Sequence, residues 1–125
     1  MYPSAMTESQ MKERTKRFAL LCLSMVDQLP RNRASEVYGK QLLRSSSSVG
    51  ANYRAVCRSR SDPDMISKLS IVEEEADESA YWVELLVASG NIDEENASPI
   101  LKEANEITAI AVASRLTLRR KARKT

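Results

Sequence analysis

The sequence predicts an all-α protein: a single domain, residues 1–125, folded as an antiparallel up-down-up-down four-helix bundle. Apolar residues recur at three-, four- and seven-residue spacings over four long segments, which is the pattern of helices with one buried stripe. The 125 residues include only three Gly, four Pro and one Phe, whereas β folds are usually richer in turn-forming and aromatic residues. The connections between the segments are short, and short connections make consecutive helices antiparallel neighbours.

The first helix is expected at about residues 8–29. Thr7 and Gln10 have the spacing of a capping box, so Thr7 is the expected N-cap. Pro30 ends the helix, because the residue before a proline avoids the helical conformation. The inner stripe is expected to consist of Met11, Thr15, Phe18, Cys22, Met25 and Leu29. Its alternating steps of four and three are typical of a helix that packs in a bundle.

The second helix is expected at about residues 34–59, with Asn32 or Ser35 as its cap. Residues 44–54 read Arg-Ser-Ser-Ser-Ser-Val-Gly-Ala-Asn-Tyr-Arg, and Ser, Gly and Asn favour caps and turns over helix interiors. The apolar residues on both sides nevertheless keep helical spacing. We therefore expect one continuous helix whose small residues allow another helix to approach closely, either within the bundle or between subunits.

The third helix is expected at about residues 63–89. Asp62 is its expected N-cap, and Pro63 suits the first helical position because its missing N–H would have no partner there. Gly90 fits the left-handed conformation that often follows a helix end. The expected stripe consists of Met65, Ile66, Leu69, Val72, Ala76, Ala80, Val83, Leu86 and Val87.

The fourth helix is expected at about residues 93–120, starting near Asp93 or Ser98. Pro99 is tolerable in a first turn but would kink a helix interior, so it conflicts with the earlier start. Residues 121–125 are expected to fray. The expected inner residues are Ile100, Leu101, Ala104, Ile107, Ala111 and Leu118.

The composition argues against several functional classes. The chain has no histidine, which excludes Ser-His-Asp and Cys-His catalysis and the Glu-x-x-His pairs of di-iron bundles. No apolar run approaches the roughly 20 residues of a membrane span, and the first residues lack signal-peptide character. We therefore expect a cytoplasmic protein that is not an enzyme, with no cofactor, no membrane association and no evident small-molecule substrate.

The two cysteines, Cys22 and Cys57, lie on different predicted helices and lack the Cys-x-x-Cys spacing. We interpret them as reduced core residues, which agrees with a cytoplasmic location. A disulfide between them is the less favoured alternative.

Charge is segregated along the chain. Residues 31–60 and the end from Arg115 onward are mainly basic, whereas residues 62–89 are mainly acidic. One interpretation is that the basic and acidic helices complement each other within the bundle or across subunits. The other is a basic surface that binds RNA phosphates in a salt-sensitive way. The candidate nucleic-acid-binding residues are Arg54, Arg58, Arg60, Arg115, Arg119, Arg120, Lys121, Arg123 and Lys124.

The acidic run at residues 73–78 is mostly a solvated helix face. Glu75 and Glu78 flank the apolar stripe, so either is expected to meet Arg44 or Arg54 of the second helix in a partly buried ion pair. Such a pair fixes the register of two helices more reliably than it adds stability. A metal site is the less favoured alternative, and we assign no catalytic or metal-binding residue.

The single tryptophan, Trp82, lies beside the main stripe of the third helix. It either covers the edge of the core with its N–H bonded or anchors a subunit interface. The candidate residues of a helix–helix or subunit interface are Arg44, Ser45, Ser48, Gly50, Asn52, Tyr53, Glu75, Glu78 and Trp82.

Five motifs spread along the chain carry a family resemblance. They are Gly-Lys-Gln-Leu-Leu-Arg-Ser (39–45), Ser-Val-Gly-Ala-Asn-Tyr-Arg (48–54), Lys-Leu-Ser-Ile-Val-Glu-Glu-Glu-Ala-Asp-Glu (68–78), Tyr-Trp-Val-Glu-Leu-Leu (81–86) and Leu-Lys-Glu-Ala-Asn-Glu-Ile-Thr-Ala-Ile (101–110). Together they resemble the 23S rRNA intervening-sequence protein family of bacterial four-helix bundles, from about Lys12 to Arg120. That family is in turn similar to the accessory protein of diversity-generating retroelements, which partners a reverse transcriptase and nucleic acid.

This resemblance implies a cytosolic, non-enzymatic bundle that assembles as a ring, a homopentamer. The function of the family is largely uncharacterised, and the ribosomal label describes where some of the genes lie. We therefore expect an oligomeric assembly or adaptor protein that binds RNA or a nucleoprotein through basic residues. The alternative is a structural protein–protein scaffold with no nucleic-acid partner. A ring needs two different patches per subunit, which a basic second helix and an acidic third helix would supply.

Overall fold

Four α-helices make up most of the structure. The computed structural model describes residues 6–124. The helices are α1 (Glu8–Asp27), α2 (Arg33–Cys57), α3 (Asp62–Ala88) and α4 (Glu94–Lys124). No strand occurs between residues 6 and 124. The predicted all-α helical bundle is confirmed.

The contacts between α1 and α2 run in opposite order along the two helices. Gly39, near the start of α2, lies against Val26 near the end of α1. Gly50, further along α2, lies against Thr15, which is earlier on α1. Reversed order is the contact pattern of antiparallel neighbours.

The same reversal relates α2 to α3. Tyr38 stacks on Trp82, whereas Arg44, later on α2, forms ion pairs with Glu75 and Glu78, earlier on α3. α4 then packs against α3 and contacts α1 more lightly, so α1 and α3 lie diagonally across the bundle.

The core runs through the bundle along one stripe from each helix. Phe18, Leu42, Val83 and Ile107 are fully buried, one from each helix in turn. The stripe predicted for α1 is buried from Met11 to Met25, while Leu29 follows the end of α1 and is half-buried. On the other helices the central stripe residues are buried, and the flanking Met65, Ile66, Val87, Leu101 and Leu118 are half-buried.

The starts of α1 and α2 follow the capping prediction. Thr7 Oγ1 accepts a hydrogen bond from the Gln10 backbone N–H, and the Gln10 side chain accepts one from the Thr7 backbone N–H. For α2, Asn32 is the cap, because its Oδ1 accepts the backbone N–H of Ser35 at 2.8 Å.

The cap of α3 was predicted wrongly by one residue. Ser61 is the N-cap, and its Oγ accepts the backbone N–H of Asp64. Asp62 is the first helical residue, where its negative charge favours the positive end of the helix dipole. Gly90 adopts the expected positive φ, 79°.

The start of α4 agrees with the earlier of the two predicted starts, near Asp93, and its end lies beyond the predicted one. The helix begins at Glu94, and Asp93 accepts the backbone N–H of Asn96 at 2.7 Å. Pro99 lies inside the helix, near its start. At the other end, α4 continues to Lys124 rather than fraying from residue 121. Arg and Lys are good helix formers and suit the negative C-terminal end of the dipole, which accounts for the extension. Thr125 lies outside the described residues.

Candidate assembly and nucleic-acid-binding surfaces

Part of the small-residue segment packs inside the bundle. Ser45 Oγ lies 2.8 Å from Ser79 Oγ on α3, and both residues are fully buried. At Gly50, an added Cβ would lie 3.3 Å from Thr15 Oγ1 on α1. Small side chains therefore let α2 approach two neighbours at once. For these two positions the close packing predicted from the sequence lies within one chain.

Three other interface candidates are also occupied within the chain. Asn52 Nδ2 donates to the backbone carbonyl and the hydroxyl of Ser48, each at 2.9 Å. Tyr53 is buried in the core. Their side chains therefore have partners or neighbours on the same chain. A role for these residues between subunits stays a prediction.

Arg44 joins α2 to α3, which confirms the predicted ion pair. Its Nη1 lies 3.1 Å from Glu75 Oε2, and its Nη2 contacts Glu78. Its Nε also donates to Gln41 on the same helix. In the described residues, no group of Cys, Asp and Glu side chains is arranged to hold a metal ion.

Trp82 covers the edge of the core next to this ion pair. Its Nε1–H donates to Glu78 Oε1 at 3.2 Å, and its ring stacks on Tyr38 with centroids 6.0 Å apart. Of the two interpretations of Trp82, this geometry agrees with the one in which the residue covers the edge of the core with its N–H bonded. Tyr81 packs on the same ring and is itself exposed.

A second arginine ion pair, between α1 and α4, was missed by the sequence analysis. Arg14 binds Glu103 through two hydrogen bonds of 2.7 and 2.8 Å, and its Nη2 also lies 2.8 Å from Glu106. The hydrogen bonds that Arg14 donates to Glu103 raise the pKa of its guanidinium above the usual value. The sequence carries only a weak signal for this ion pair. It consists of one Arg beside the apolar stripe of α1 and two Glu residues three apart on α4, which is distant along the chain.

Arg115, one of the candidate nucleic-acid-binding residues, forms an ion pair within the bundle. Its Nη2 lies 2.9 Å from Glu73 Oε1 on α3, and both side chains are largely buried. The buried helix faces bring these two side chains together, which a count of charges along the chain could not reveal.

The other candidate cations lie on two segments that the fold brings to the same end of the bundle. Arg54, Arg58 and Arg60 end α2 and begin the next connection, and the α4 candidates follow Leu118. Glu73, early on α3, pairs with Arg115, late on α4, whereas Val87, late on α3, lines a pocket with Leu101, early on α4. This reversed order makes α3 and α4 antiparallel, and because α3 starts where α2 ends, both segments share that end. All are exposed, and none forms an ion pair with any described side chain: Arg54, Arg58, Arg60, Arg119, Arg120, Lys121 and Arg123. The side chain of Lys124 lies outside the described part.

A groove between α1 and α2 adds cations that the sequence analysis missed. Lys12 and Lys16 of α1 line it together with Arg54 of α2, and Ser47 and Ala51 lie between them. The groove has a volume of about 570 Å³. Lys12 and Lys16 are four residues apart on the exposed side of α1, so their spacing could have placed them on one face, but not opposite Arg54.

The outer face of α1 is apolar in its second half. Leu20, Leu21 and Leu23 are 55%, 45% and 41% exposed. Single exposed leucines are common on protein surfaces, but adjacent ones often mark a contact with another chain.

Neither cysteine has the environment of a nucleophile. Both are free thiols, and burial raises the pKa of Cys22 to about 12. Burial also raises the pKa of Cys57, which is only half-buried. A thiol with a raised pKa stays protonated at neutral pH and reacts slowly.

Comparison with known proteins identifies the family. Residues 7–113 match the model of the 23S rRNA-intervening sequence protein family, so the chain belongs to that family. A crystal structure of a protein of unknown function from the S23 ribosomal protein family of Bacteroides thetaiotaomicron is 31% identical, with a TM-score of 0.79. The match covers 86% of this chain and 96% of that one.

Neither description names an enzymatic activity. No curated protein matches the sequence. Among the described helices, none combines the length and apolar character that crossing a membrane requires.

Proposed function

We propose that the protein is a non-enzymatic bundle whose basic end binds RNA through its phosphate backbone. The observation that carries this proposal is that two groups of exposed cations lie at one end of the fold, and neither group forms an ion pair with a described side chain: Arg54, Arg58 and Arg60 in one, and Arg119, Arg120, Lys121 and Arg123 in the other. Clustered Arg and Lys side chains release counterions from a phosphate backbone, which provides affinity without base recognition. Glu8, Asp62 and Asp64 lie at the same end and offset part of this positive charge.

Serine substitution of the end of α4 tests this proposal. The variant carries R119S, R120S, K121S, R123S and K124S. We expect it to lose RNA binding in a filter or anisotropy assay, because Arg119, Arg120, Lys121 and Arg123 are exposed and contribute nothing to the core. For the wild type, the logarithm of affinity should fall with the logarithm of salt concentration, with a slope of about −0.7 per phosphate contact for single strands.

A matched control removes the same number of exposed cations elsewhere. It carries R17S, R31S, R33S, K40S and K102S, all exposed in the structure. This control should retain most of the RNA binding. Equal losses in the two variants would show that total charge matters and that the basic end has no special role, which would contradict the proposal.

We further propose that the protein self-associates, as a homopentamer. The exposed leucines of α1 and the resemblance to ring-forming bundles support this second function. Light scattering on the native particle, with absorbance at 260 and 280 nm on the same peak, tests both proposals. A mass of about five subunits with excess absorbance at 260 nm is expected for a closed ring that carries RNA.

Two other results of that measurement separate the alternatives. The same mass with a clean protein spectrum favours a structural scaffold without nucleic acid. A monomer contradicts self-association. We place the protein in the cytoplasm, and its two free thiols agree with a reducing compartment.

A further inference from the structure

The small residues of α2 are more numerous than internal packing requires. Ser45 and Gly50 must be small because α3 and α1 lie against them. Ser47 and Ala51, in contrast, are exposed and meet no neighbouring helix face. A long side chain at either position would leave the core unchanged but would fill the groove between α1 and α2.

The walls of this groove are cationic on both sides. Lys12 and Lys16 line it from α1, and Arg54 lines it from α2. None of the three forms an ion pair with a described side chain, and Glu13 is the one acidic residue in the lining. Residues four apart on a helix are about 6 Å apart along its axis, so Lys12 and Lys16 can follow one backbone.

The groove is also continuous with the basic end. Arg58 follows Arg54 by one helical turn on the exposed line of α2, and Arg60 lies in the connection beyond it. A chain that leaves the groove past Arg54 therefore meets further cations without crossing an acidic helix.

We infer that the α1–α2 groove holds a single-stranded phosphodiester backbone; this deepens the proposed function and rests on it. α1 and α2 pack directly on each other at Gly50 and Thr15, so the groove is a surface channel, and its volume of about 570 Å³ suits a short stretch of one strand but not a duplex. Ser9 adds a hydroxyl donor for phosphate oxygens, whereas the Ser47 hydroxyl donates to the Leu43 carbonyl of its own helix and contributes only its small size. The lining contains no aromatic residue among the described side chains, so binding depends on the backbone and not on the bases.

Filling the groove without changing its charge is the first test. Ala51→Leu puts a larger side chain on an exposed helix position, and the matched control Ala109→Leu does the same on α4. Fluorescence anisotropy would measure the binding of labelled oligouridine, labelled oligothymidine and a duplex RNA. We expect A51L to weaken both single-stranded probes about tenfold, with A109L like the wild type. Unchanged binding of both probes by A51L would overturn the inference.

Removing the wall cations is the second test. The double variant K12Q/K16Q should lower the steepness of the salt dependence for oligouridine by about 1.4, which is two contacts of 0.7 each. The control R33Q/K40Q removes two exposed cations of α2 outside the groove and should leave the slope unchanged. Equal slopes for K12Q/K16Q and the wild type would overturn the inference.

RNA binding by the protein and strand binding in the groove can be contradicted separately. If the wild type binds no RNA, the proposed function is wrong and the groove falls with it. If the wild type binds RNA through the end of α4 but is insensitive to K12Q/K16Q and A51L, only the groove is wrong.

Discussion

The contact between α2 and α3 (the α2–α3 seam) and the contact between α1 and α4 (the α1–α4 seam) contain the same kind of ion pair but differ in how closely the helices pack around it. In each, one arginine bridges two glutamates three residues apart on the facing helix, from Arg44 in the first seam and Arg14 in the second. In the α2–α3 seam the helices also meet through Ser45 and Ser79, which are fully buried. The α1–α4 seam has much less packing of this kind.

The exposure of the two arginines follows this difference. The side chain of Arg44 is 48% exposed, whereas that of Arg14 is 20% exposed. An exposed pair is screened by water and contributes little, while a pair withdrawn from water is strong and its loss is harmful. An ion pair therefore matters most where few other contacts join two helices.

The largest effect is expected from adding volume to the α2–α3 seam. Ser79→Leu would push α2 and α3 apart at a site with no free space, and we expect a loss of about 3 kcal/mol in the free energy of unfolding. Urea denaturation followed by circular dichroism measures this change. Ser67→Leu, at an exposed position of the same helix, is the control and should be nearly neutral. An equal, small effect of both variants would mean that the seam is not closely packed.

The next effect is expected from Arg14→Gln. This change leaves Glu103 and Glu106 next to each other without a cation, and we expect a loss of about 1–2 kcal/mol. Amide hydrogen exchange should also show faster exchange in α1 than in α2 and α3, because the pair is a main link between α1 and α4. Arg17→Gln, an exposed position without an ion pair to described residues, is the control. A result equal to that of R17Q would refute this role.

A smaller effect is expected from Arg44→Gln. Since the α2–α3 seam is closed by packing and Arg44 is half exposed, we expect a loss below about 1 kcal/mol. The loss should shrink further in high salt, which the same urea experiments would detect. If R44Q proved more destabilising than R14Q, the contrast drawn between the two seams would be wrong.

Much of the fold could be predicted because it depends on local patterns. The apolar spacing of α1 gave its buried residues from Met11 to Met25, and the Thr7 capping box formed as expected. The ion pair between Arg44 and Glu75 could also be predicted from the sequence, because both residues lie beside the predicted apolar stripes of consecutive helices. Periodicity determines which face of a helix is buried, and consecutive antiparallel helices determine which faces meet.

The missed contacts depend on the rotation and tilt of helices distant in sequence. In the sequence Arg115 is one more cation of a basic tail, whereas in the structure it lies against Glu73. Arg14 and Glu103 are far apart along the chain, and no spacing rule connects them. The groove was missed for a related reason, since Arg54 and Lys12 face each other only once α1 and α2 cross at Gly50.

The smallest effect concerns that crossing of α1 and α2, which has two glycines. An added Cβ would lie 3.2 Å from Val26 at Gly39 and 3.3 Å from Thr15 at Gly50. Val26 is half-buried near the end of α1 and can shift, so the better helix propensity of alanine should make Gly39→Ala stabilising by about 0.5 kcal/mol.

Thr15 cannot shift in the same way, because it is buried and its hydroxyl bonds the carbonyls of Met11 and Lys12. Gly50→Ala should therefore be destabilising by about 0.5 kcal/mol, despite the same gain in helix propensity. Thermal unfolding of the two variants side by side measures the difference. Equal stabilisation by both would mean that α1 moves away from α2 without penalty, and that its position is set by α4 through Arg14 instead.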